Sequence, residues 1–429
     1  MSCFRARCWQ RFWPGAEPIR RLATPLFRAR SPTLNSTPAS PLETLDNAHA
    51  LIRQGRVDEA VAVLEPLLAR CPDDLEAWYT LGQAQGMLDR HAEAEHAFRN
   101  AARLRPEMRE AHFNVALSLA YQEKLRDSLP SFLAARRLGP EIPGLDQTLL
   151  EVLLRILQDE HHADAGSGMR LPALAEAPLV SVVVPTRNRL PMLRDALESV
   201  CRQSYQNWEA IVVNDGGEDV STALSALPVH ARAKITCFQS PHSRGQASAR
   251  NTGVGAARGD IVAFLDDDDL YKPGHLEALV AALRLSGAAV GYTRAEAVWE
   301  QIVEGKRVDL NRGPASPWYR YSRALLLVRN CMTIDNWGVR RECFDAYGTF
   351  DETLPCAEDW DLLLRFSAHV DFQQIAEMTT EVRVRDEAVD SVSKRNPLRP
   401  VCELLYRRYA AGGHELVELA REFYLKSLP

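Results

Sequence analysis

The stretch VSVVVPTRN, residues 180–188, is a run of β-branched side chains that ends in polar ones. Such a run is typical of a strand that is covered on both faces of a sheet. Similar runs follow at 208–213, 235–238 and 261–265, and segments with helical spacing lie between them, at 191–202, 221–227 and 246–257. This alternation predicts a mostly parallel α/β sheet that binds its ligands at the carboxyl ends of the strands.

Polar or acidic residues follow three of these predicted strands. Pro185 and Thr186 end the first, Asp215 follows the second, and the acidic run 266–269 follows the fourth. Because the carboxyl ends of parallel strands meet at one edge of a sheet, we expect these side chains to converge. The first and third carboxylates of the acidic run point the same way where the backbone is extended, and carboxylate oxygens suit hard cations such as Mg²⁺ or Mn²⁺.

A second periodicity precedes the sheet. Pro72, Pro106 and Pro140 recur at equal steps, since the differences 106 − 72 and 140 − 106 are the same. That step matches the period of the tetratricopeptide helix-turn-helix repeat, about 34 residues, which the chain resembles here. The middle unit carries most of the pattern, in Trp78, Leu81, Gly82, Ala94, Phe98, Ala101 and Pro106, whereas the third has His112 in place of the tryptophan. We expect about three stacked helix pairs and a capping helix over 145–157.

Five motifs together resemble the family 2 glycosyltransferases of GT-A fold. They are VSVVVPTRN (180–188), VNDGGED (213–219), SARNTGVGAARGD (248–260), FLDDDDLYKP (264–273) and EDWDLLLR (358–365), in the family's order. The resemblance implies a GT-A, Rossmann-like α/β domain preceded by an all-α tetratricopeptide (TPR) array. The expected domains are a basic tail at 1–41, the array at 42–160, a linker at 161–177, the GT-A domain at 178–395 and a helical extension at 396–429.

The resemblance assigns roles on the donor side of the site. It implies that Asp268 binds a divalent metal, Mg²⁺ or Mn²⁺, and that Asp266 contacts the ribose or supports the metal. Asp215 would accept a hydrogen bond from the base, commonly uracil, in a pocket shaped by Pro185 and Thr186. Since the family often has a second acid where this chain has an asparagine before Asp215, the choice of uracil over another base is loosened.

Four further residues carry expected roles by the same resemblance. Arg250 would lie beside the base or the pyrophosphate, and Glu358 would contribute to substrate binding. Asp359 would be the general base that takes the proton of the acceptor hydroxyl in a single inverting displacement. Arg385 stands where many relatives carry a histidine that joins the metal or diphosphate. Because a guanidinium cannot bind a cation, we expect Arg385 to pair with diphosphate, and the third metal ligand stays open.

These observations favour an inverting transferase that moves a sugar from a nucleotide-sugar, expected to be a UDP-sugar, to a hydroxyl of a glycan, a lipid-linked glycan or a protein. A second class is a catalytically silent scaffold that binds nucleotide-sugar while its repeats recruit protein partners; the complete acidic set argues against it. A nucleotidyltransferase would instead need a Gly-rich, basic loop after the first strand. Trp337 and Trp360 would form either a wall for a sugar ring or part of the core.

The composition of the chain limits which partners and which cellular compartment we expect. A net charge of −6 gives no reason to expect nucleic acid. Nine scattered cysteines without a CxxC pair fit a reducing compartment, so we expect a cytoplasmic protein. No apolar stretch reaches the roughly 20 residues that cross a bilayer. The first forty residues hold seven arginines against one acid, Glu17, which predicts a disordered tail or at most peripheral contact with the inner face of a membrane.

Overall fold

The computed structural model describes residues 40–139, 142–160, 171–303, 306–315, 320–385 and 397–428. Pro140, most of the expected tail and the first part of the expected linker therefore lie outside the described residues. The chain forms two compact units that divide between Ile156 and Leu157. The expected domain limits are close to this division but remain predictions.

Within the described residues 40–158, the first unit consists of paired helices. They are α1 (Pro41–Arg53), α2 (Val57–Arg70), α3 (Leu75–Met87), α4 (His91–Leu104), α5 (Arg109–Tyr121), α6 (Leu125–Arg137) and α7 (Leu145–Gln158), whose end passes into the second unit. The first helices of the three pairs begin at positions 41, 75 and 109, which repeats the step between the three prolines. The structure thus confirms the tetratricopeptide period.

Small residues allow the paired helices to approach. A Cβ atom added to Gly82 would lie 2.7 Å from the ring of Phe98, so only glycine fits this crossing without a shift of the ring. Trp78 donates its indole N–H to the Pro72 carbonyl at 2.7 Å, which ties the start of α3 to the preceding turn. In the next pair the His112 ring makes the equivalent contact with the Pro106 carbonyl at 2.8 Å. The imidazole therefore replaces the tryptophan of the repeat pattern without loss of this contact.

The second unit is built on one mixed sheet. Its strands are β1 (Val180–Thr186), β2 (Trp208–Asn214), β3 (Ile235–Gln239), β4 (Ile261–Phe264), β5 (Leu270–Tyr271), β6 (Val290–Val303), β7 (Lys306–Pro314), β8 (Trp337–Arg340) and β9 (Phe372–Val384). Their order is β3-β2-β1-β4-β8-β6-β9-β5, with β7 paired to β6. The first four run parallel, as expected, and β8 is antiparallel to both of its neighbours.

Helices accompany these strands in the second unit. They are α8 (Leu190–Cys201), α9 (Ser221–Ser225), α10 (Val229–Arg232), α11 (Gln246–Ala256), α12 (His275–Ser286), α13 (Arg323–Leu326), α14 (Glu342–Tyr347), α15 (Glu358–Ser367), α16 (Leu398–Arg408) and α17 (Glu415–Ser427). The core between the sheet and α8 and α12 is aliphatic, with Val182, Val184, Leu197 and Leu279 fully buried. Among the helices described, none has the length and apolar character needed to cross a membrane.

One expectation about burial is wrong. The sequence predicts that β3 is covered on both faces, but residues 236–239 of this strand are exposed. The reason is its position at the edge of the sheet, where only β2 pairs with it. In contrast, β2 and β4 are buried along their whole length.

Candidate active site

The carboxyl ends of β1, β2 and β4 lie together, and Thr186 links them. Its hydroxyl donates to the carboxylate of Asp267 at 2.8 Å, and its carbonyl accepts from the backbone N–H of Asp215 at 2.9 Å. Pro185 lies beside Val213 in the register of β1 and β2. The convergence that the sequence predicts at this edge is therefore present, and Thr186 has a structural function in it.

The acidic run after β4 alternates between partly exposed and buried side chains. Asp266 and Asp268 are 31% and 23% exposed, whereas Asp267 and Asp269 are buried. The first and third carboxylates are thus the more accessible ones. The buried Asp269 carboxylate accepts the backbone N–H of Arg383 in β9 at 2.6 Å.

Two arginines neutralise Asp268. Its Oδ2 atom accepts from Arg189 Nη1 at 3.1 Å and from Arg385 Nη2 at 2.7 Å. Burial raises the pKa of Asp268, while the positive charge of Arg189 and of Arg385 opposes that rise. Across the described residues, no group of three or more His, Cys, Asp or Glu side chains forms a metal cage. Two carboxylates still suit Mg²⁺ or Mn²⁺ in chemistry, because such ions complete their shell with water and phosphate oxygens.

Arg385 lies next to the acidic run, and its pairing with diphosphate remains a prediction. Besides Asp268, it contacts Glu300 in β6, with Nη1 3.0 Å from Oε1. The Glu300 side chain is fully buried and also pairs with Arg307 and Arg383. A buried carboxylate with three guanidinium partners therefore anchors the arginine that faces Asp268.

Arg250 joins the two acidic motifs. This buried side chain donates to Asp266 Oδ1 at 2.7 Å through Nη2 and to Glu358 through Nη1. Glu358 also accepts from Gln246 at 2.6 Å. The expected position beside a base or pyrophosphate remains a prediction, but the structure places the guanidinium between two carboxylates that lie far apart in sequence.

Asp359 is the second residue of α15 and is partly exposed. Asn330 donates to its Oδ2 at 2.9 Å, and the following backbone N–H, of Trp360, contacts Oδ1 at 2.8 Å. Burial raises the pKa of Asp359 to about 7, with a further contribution from the negative charge of Glu358, while Arg250 opposes both. A carboxyl group with this pKa can exchange a proton near neutral pH.

The Asp215 carboxylate already accepts hydrogen bonds from a neighbouring loop of the protein. It accepts from the Ser243 hydroxyl at 2.6 Å and from the backbone N–H groups of Arg244 and Gly245 at 2.8 and 2.9 Å. Gly216, with φ at +72°, passes so close to this loop that an added Cβ would lie 2.4 Å from the Ser243 nitrogen. Asp215 therefore shapes the loop before α11, and its contact with a base remains a prediction.

Several residues around the site are not among those predicted from the sequence. Arg189 has a sequence signal, since it closely follows Thr186 at a polar strand end, but Asn330 and Glu300 have none. Asp335 also lacks one, and its carboxylate accepts the backbone N–H of Asp266 at 2.7 Å. The two tryptophans considered for a sugar wall, Trp337 and Trp360, are both buried core residues.

Family comparisons agree with this architecture. The family described as glycosyl transferase family 2 matches residues 181–348. Two families described as tetratricopeptide repeat match residues 48–84 and 88–143. The helical array and the sheet domain therefore each match the family that the sequence motifs resemble.

Among curated proteins, the chain is similar to the uncharacterized glycosyltransferase YwdF of Bacillus subtilis (strain 168), with 33% identity over 188 residues, 43% of this chain and 67% of YwdF. It is 33% identical to the putative colanic acid biosynthesis glycosyl transferase WcaA of Escherichia coli (strain K12), over 44% of this chain and 66% of WcaA. The UDP-Glc:alpha-D-GlcNAc-diphosphoundecaprenol beta-1,3-glucosyltransferase WfgD of Escherichia coli is 30% identical over 30% of this chain and 51% of its own. The chain thus spans half to two thirds of these relatives.

Solved structures show a more distant similarity. S. aureus TarS 1-349 in complex with UDP-GlcNAc has 17% identity and a TM-score of 0.45, covering 57% of this chain and 71% of that one. The mannosyltransferase PcManGT from Pyrobaculum calidifontis, in complex with GDP-Man and Mn²⁺, has 16% identity and a TM-score of 0.44, covering 70% and 85%. The match at residues 181–348 and the 33% identity over two thirds of YwdF show that the chain belongs to glycosyltransferase family 2, with tetratricopeptide repeats preceding the transferase domain.

Proposed function

We propose that the protein is an inverting glycosyltransferase that moves a sugar from a nucleotide-sugar to a hydroxyl group. The observation that carries this proposal is the Arg250 bridge, which draws Asp266 of the acidic run and Glu358 of the second acidic motif into one cluster. Groups suited to hold a diphosphate and a group suited to accept a proton thereby lie around one site.

The donor is proposed to bind at the ends of β1 and β2, with its base near Pro185, Thr186 and Asp215. A uridine nucleotide is our candidate, since WfgD is named for UDP-Glc. The three hydrogen bonds that Asp215 already accepts support a role in shaping this pocket.

Asp268 and Asp266 are proposed to hold Mg²⁺ or Mn²⁺. Bound there, the cation would supply Lewis-acid stabilisation of the departing diphosphate. Arg385 is proposed to contact the diphosphate. Arg189 is proposed to contact it too, because both guanidinium groups already pair with Asp268. Within the described residues, Arg189 makes its two hydrogen bonds through Nη1 alone, so its other N–H groups can serve phosphate oxygens.

Asp359 is proposed to act as the general base. The acceptor oxygen would bond to the anomeric carbon while the bond from that carbon to the diphosphate oxygen breaks, and the hydroxyl proton would pass to Asp359. The raised pKa of Asp359, about 7, supports this role because a base is most effective when its pKa lies near the working pH. Asn330 would keep the carboxylate oriented through its hydrogen bond to Oδ2.

The acceptor is proposed to be a glycan, a lipid-linked glycan or a protein, and the repeats are proposed to recruit a protein partner or the acceptor itself. WcaA and the succinoglycan biosynthesis protein ExoO of Rhizobium meliloti are both named for polysaccharide synthesis, which favours a glycan acceptor. A cytoplasmic location, with at most peripheral membrane contact, remains our expectation.

Hydrolysis of the donor by water tests the proposal without knowledge of the acceptor. The full-length protein is incubated with a panel of UDP-, GDP- and dTDP-sugars in the presence of Mn²⁺, and release of the nucleoside diphosphate is measured. We expect slow release from one donor class and loss of that release after chelation. Saturable nucleotide-sugar binding without release, even with acceptor extracts added, would instead favour the catalytically silent scaffold.

A further inference from the structure

The C-terminal helices α16 and α17, like α15 itself, lie beyond the family match, which ends at residue 348. They contact the two segments that hold Asp359. One segment is α15, in which Asp359 is the second residue. The other is residues 326–330, called the loop below, which begins with the last residue of α13 and ends in Asn330. Both sets of contacts are hydrogen bonds or ion pairs with specific geometry.

The first set of contacts converges on Asp361. Its side chain is 1% exposed, and Oδ1 accepts from Arg408 Nη1 at 2.6 Å and from the Tyr409 hydroxyl at 2.8 Å. Arg365, one turn along α15, contacts the other oxygen at 3.0 Å. Because a buried carboxylate requires such partners, residues 408 and 409 tie the first turn of α15 in place.

The second set holds the loop. The Tyr406 hydroxyl donates to the Val328 carbonyl at 2.5 Å, and Arg421 of α17 donates to the Leu327 carbonyl at 2.8 Å. Trp360 links the loop directly to α15 through its indole N–H, 2.7 Å from the Leu326 carbonyl. Three successive carbonyl groups of the loop are thus bound, two of them by the C-terminal helices.

We propose that the C-terminal helical pair positions the base, with Arg408 and Tyr409 as positioning residues for Asp359. This inference rests on the proposed function. A general base must lie within hydrogen-bond reach of the proton it takes, and displacement by about 1 Å can reduce the rate by about 10²-fold. The helix and the loop that carry Asp359 and its partner Asn330 are both held by side chains between residues 406 and 421, so their relative position depends on these contacts.

The test uses the full-length double variant Arg408→Met/Tyr409→Phe. We expect kcat for donor turnover to fall by about tenfold while the Kd of the donor stays within about twofold, because the donor residues are untouched. Amide hydrogen exchange should become faster in 358–367 and remain unchanged in 208–214. Arg407→Met, a change at an exposed neighbour that takes part in none of these contacts, serves as the control.

The double variant and Asp359→Asn together decide the inference. Unchanged kcat and unchanged exchange in the double variant would overturn it. A donor affinity that weakens as much as kcat falls would also overturn it, because that result indicates general loosening of the domain. Asp359→Asn is measured in parallel. If that variant keeps full turnover, the proposed base is wrong. If it is inactive while the double variant turns over normally, only the positioning role is refuted. If the double variant does not fold, Tyr406→Phe, which removes a single hydrogen bond, is held to the same criteria.

Discussion

The repeat array and the sheet domain are stabilised over different distances along the chain. In the array, Gly82 meets Phe98 of the very next helix, and the hydrogen bond from Asn114 to Tyr79 reaches only to the neighbouring pair. In the sheet domain, Arg385 and Asp268 are 117 residues apart, and Arg250 and Glu358 are 108 apart. Repeat arrays sum local contacts, whereas the candidate site exists only when distant segments are correctly packed. Substitutions in the two regions should therefore affect different properties.

The largest effect is expected from Asp268→Ala. We predict that donor turnover falls by about 10³-fold or more and that Mn²⁺ no longer increases nucleotide affinity, because the partly exposed carboxylate proposed to bind the metal is lost from a strand end. Isothermal titration with UDP, with and without Mn²⁺, measures the second effect.

Glu342→Gln is the matched control for that variant. Glu342 has similar exposure, 32%, and also pairs with an arginine, Arg340, but lies at the start of α14. Normal Mn²⁺ dependence in Asp268→Ala would contradict the metal assignment.

A smaller loss is expected from Asp359→Asn. The amide keeps the size of the side chain but cannot accept a proton, so we predict a fall in kcat of about 10²-fold with donor Kd unchanged. Asp345→Asn, at an exposed carboxylate of α14, should leave both unchanged. A weakened Kd with normal turnover at saturation would place Asp359 in the donor site instead.

The pH dependence should follow the same carboxyl group. With a pKa of about 7, Asp359 is protonated in acid, so kcat is predicted to fall about tenfold for each pH unit below 7 and to level off above it. A pH profile of kcat that is flat from pH 5 to 8 would exclude Asp359 as the base.

The stability of the sheet domain is predicted to decrease as pH rises, whereas turnover increases. Burial raises the pKa of Asp267 to about 6 and that of Asp335 to about 7, so the folded state holds protons that the unfolded chain releases. Since stability falls with pH wherever the folded state binds more protons, the melting temperature is predicted to decrease between about pH 4 and pH 7. Differential scanning calorimetry measures it.

The smallest effect on turnover is expected from Gly82→Ala in the array. The new methyl group would press on the Phe98 ring, so we predict a loss of about 1–3 kcal/mol in the free energy of unfolding of the array, with donor hydrolysis within about twofold of wild type. Gly86→Ala, in the same helix but with open space around its Cβ, is predicted to stabilise the array slightly. A large loss of donor hydrolysis in Gly82→Ala would show that the two regions are coupled.

Much of the fold was predictable because its signals are local. The regular step between prolines predicted the helix pairs, and the β-branched runs predicted the first parallel strands. The edge position of β3 was not predictable, since the composition of 235–238 resembles that of a covered strand and only the strand order shows that one side is open.

The site was predictable only as a set of residue types. The spacing of Asp266 and Asp268 and the order of the five motifs indicated acids, an arginine and a base candidate at the strand ends. The partners of these residues were not indicated: Asn330, Glu300 and Asp335 stand in stretches without a recognisable pattern, and their importance comes from the atoms they contact.

The amino-acid sequence was sufficient to predict the helix period, the parallel strands and the family, because these depend on the spacing of side chains along the chain. The folded arrangement was needed to show which carboxylates are accessible, which arginines face Asp268, and that helices near the C-terminus hold the segment around Asp359. Burial and charge pairing depend on distances in space, and residues separated by a hundred or so positions come together only when the sheet has formed.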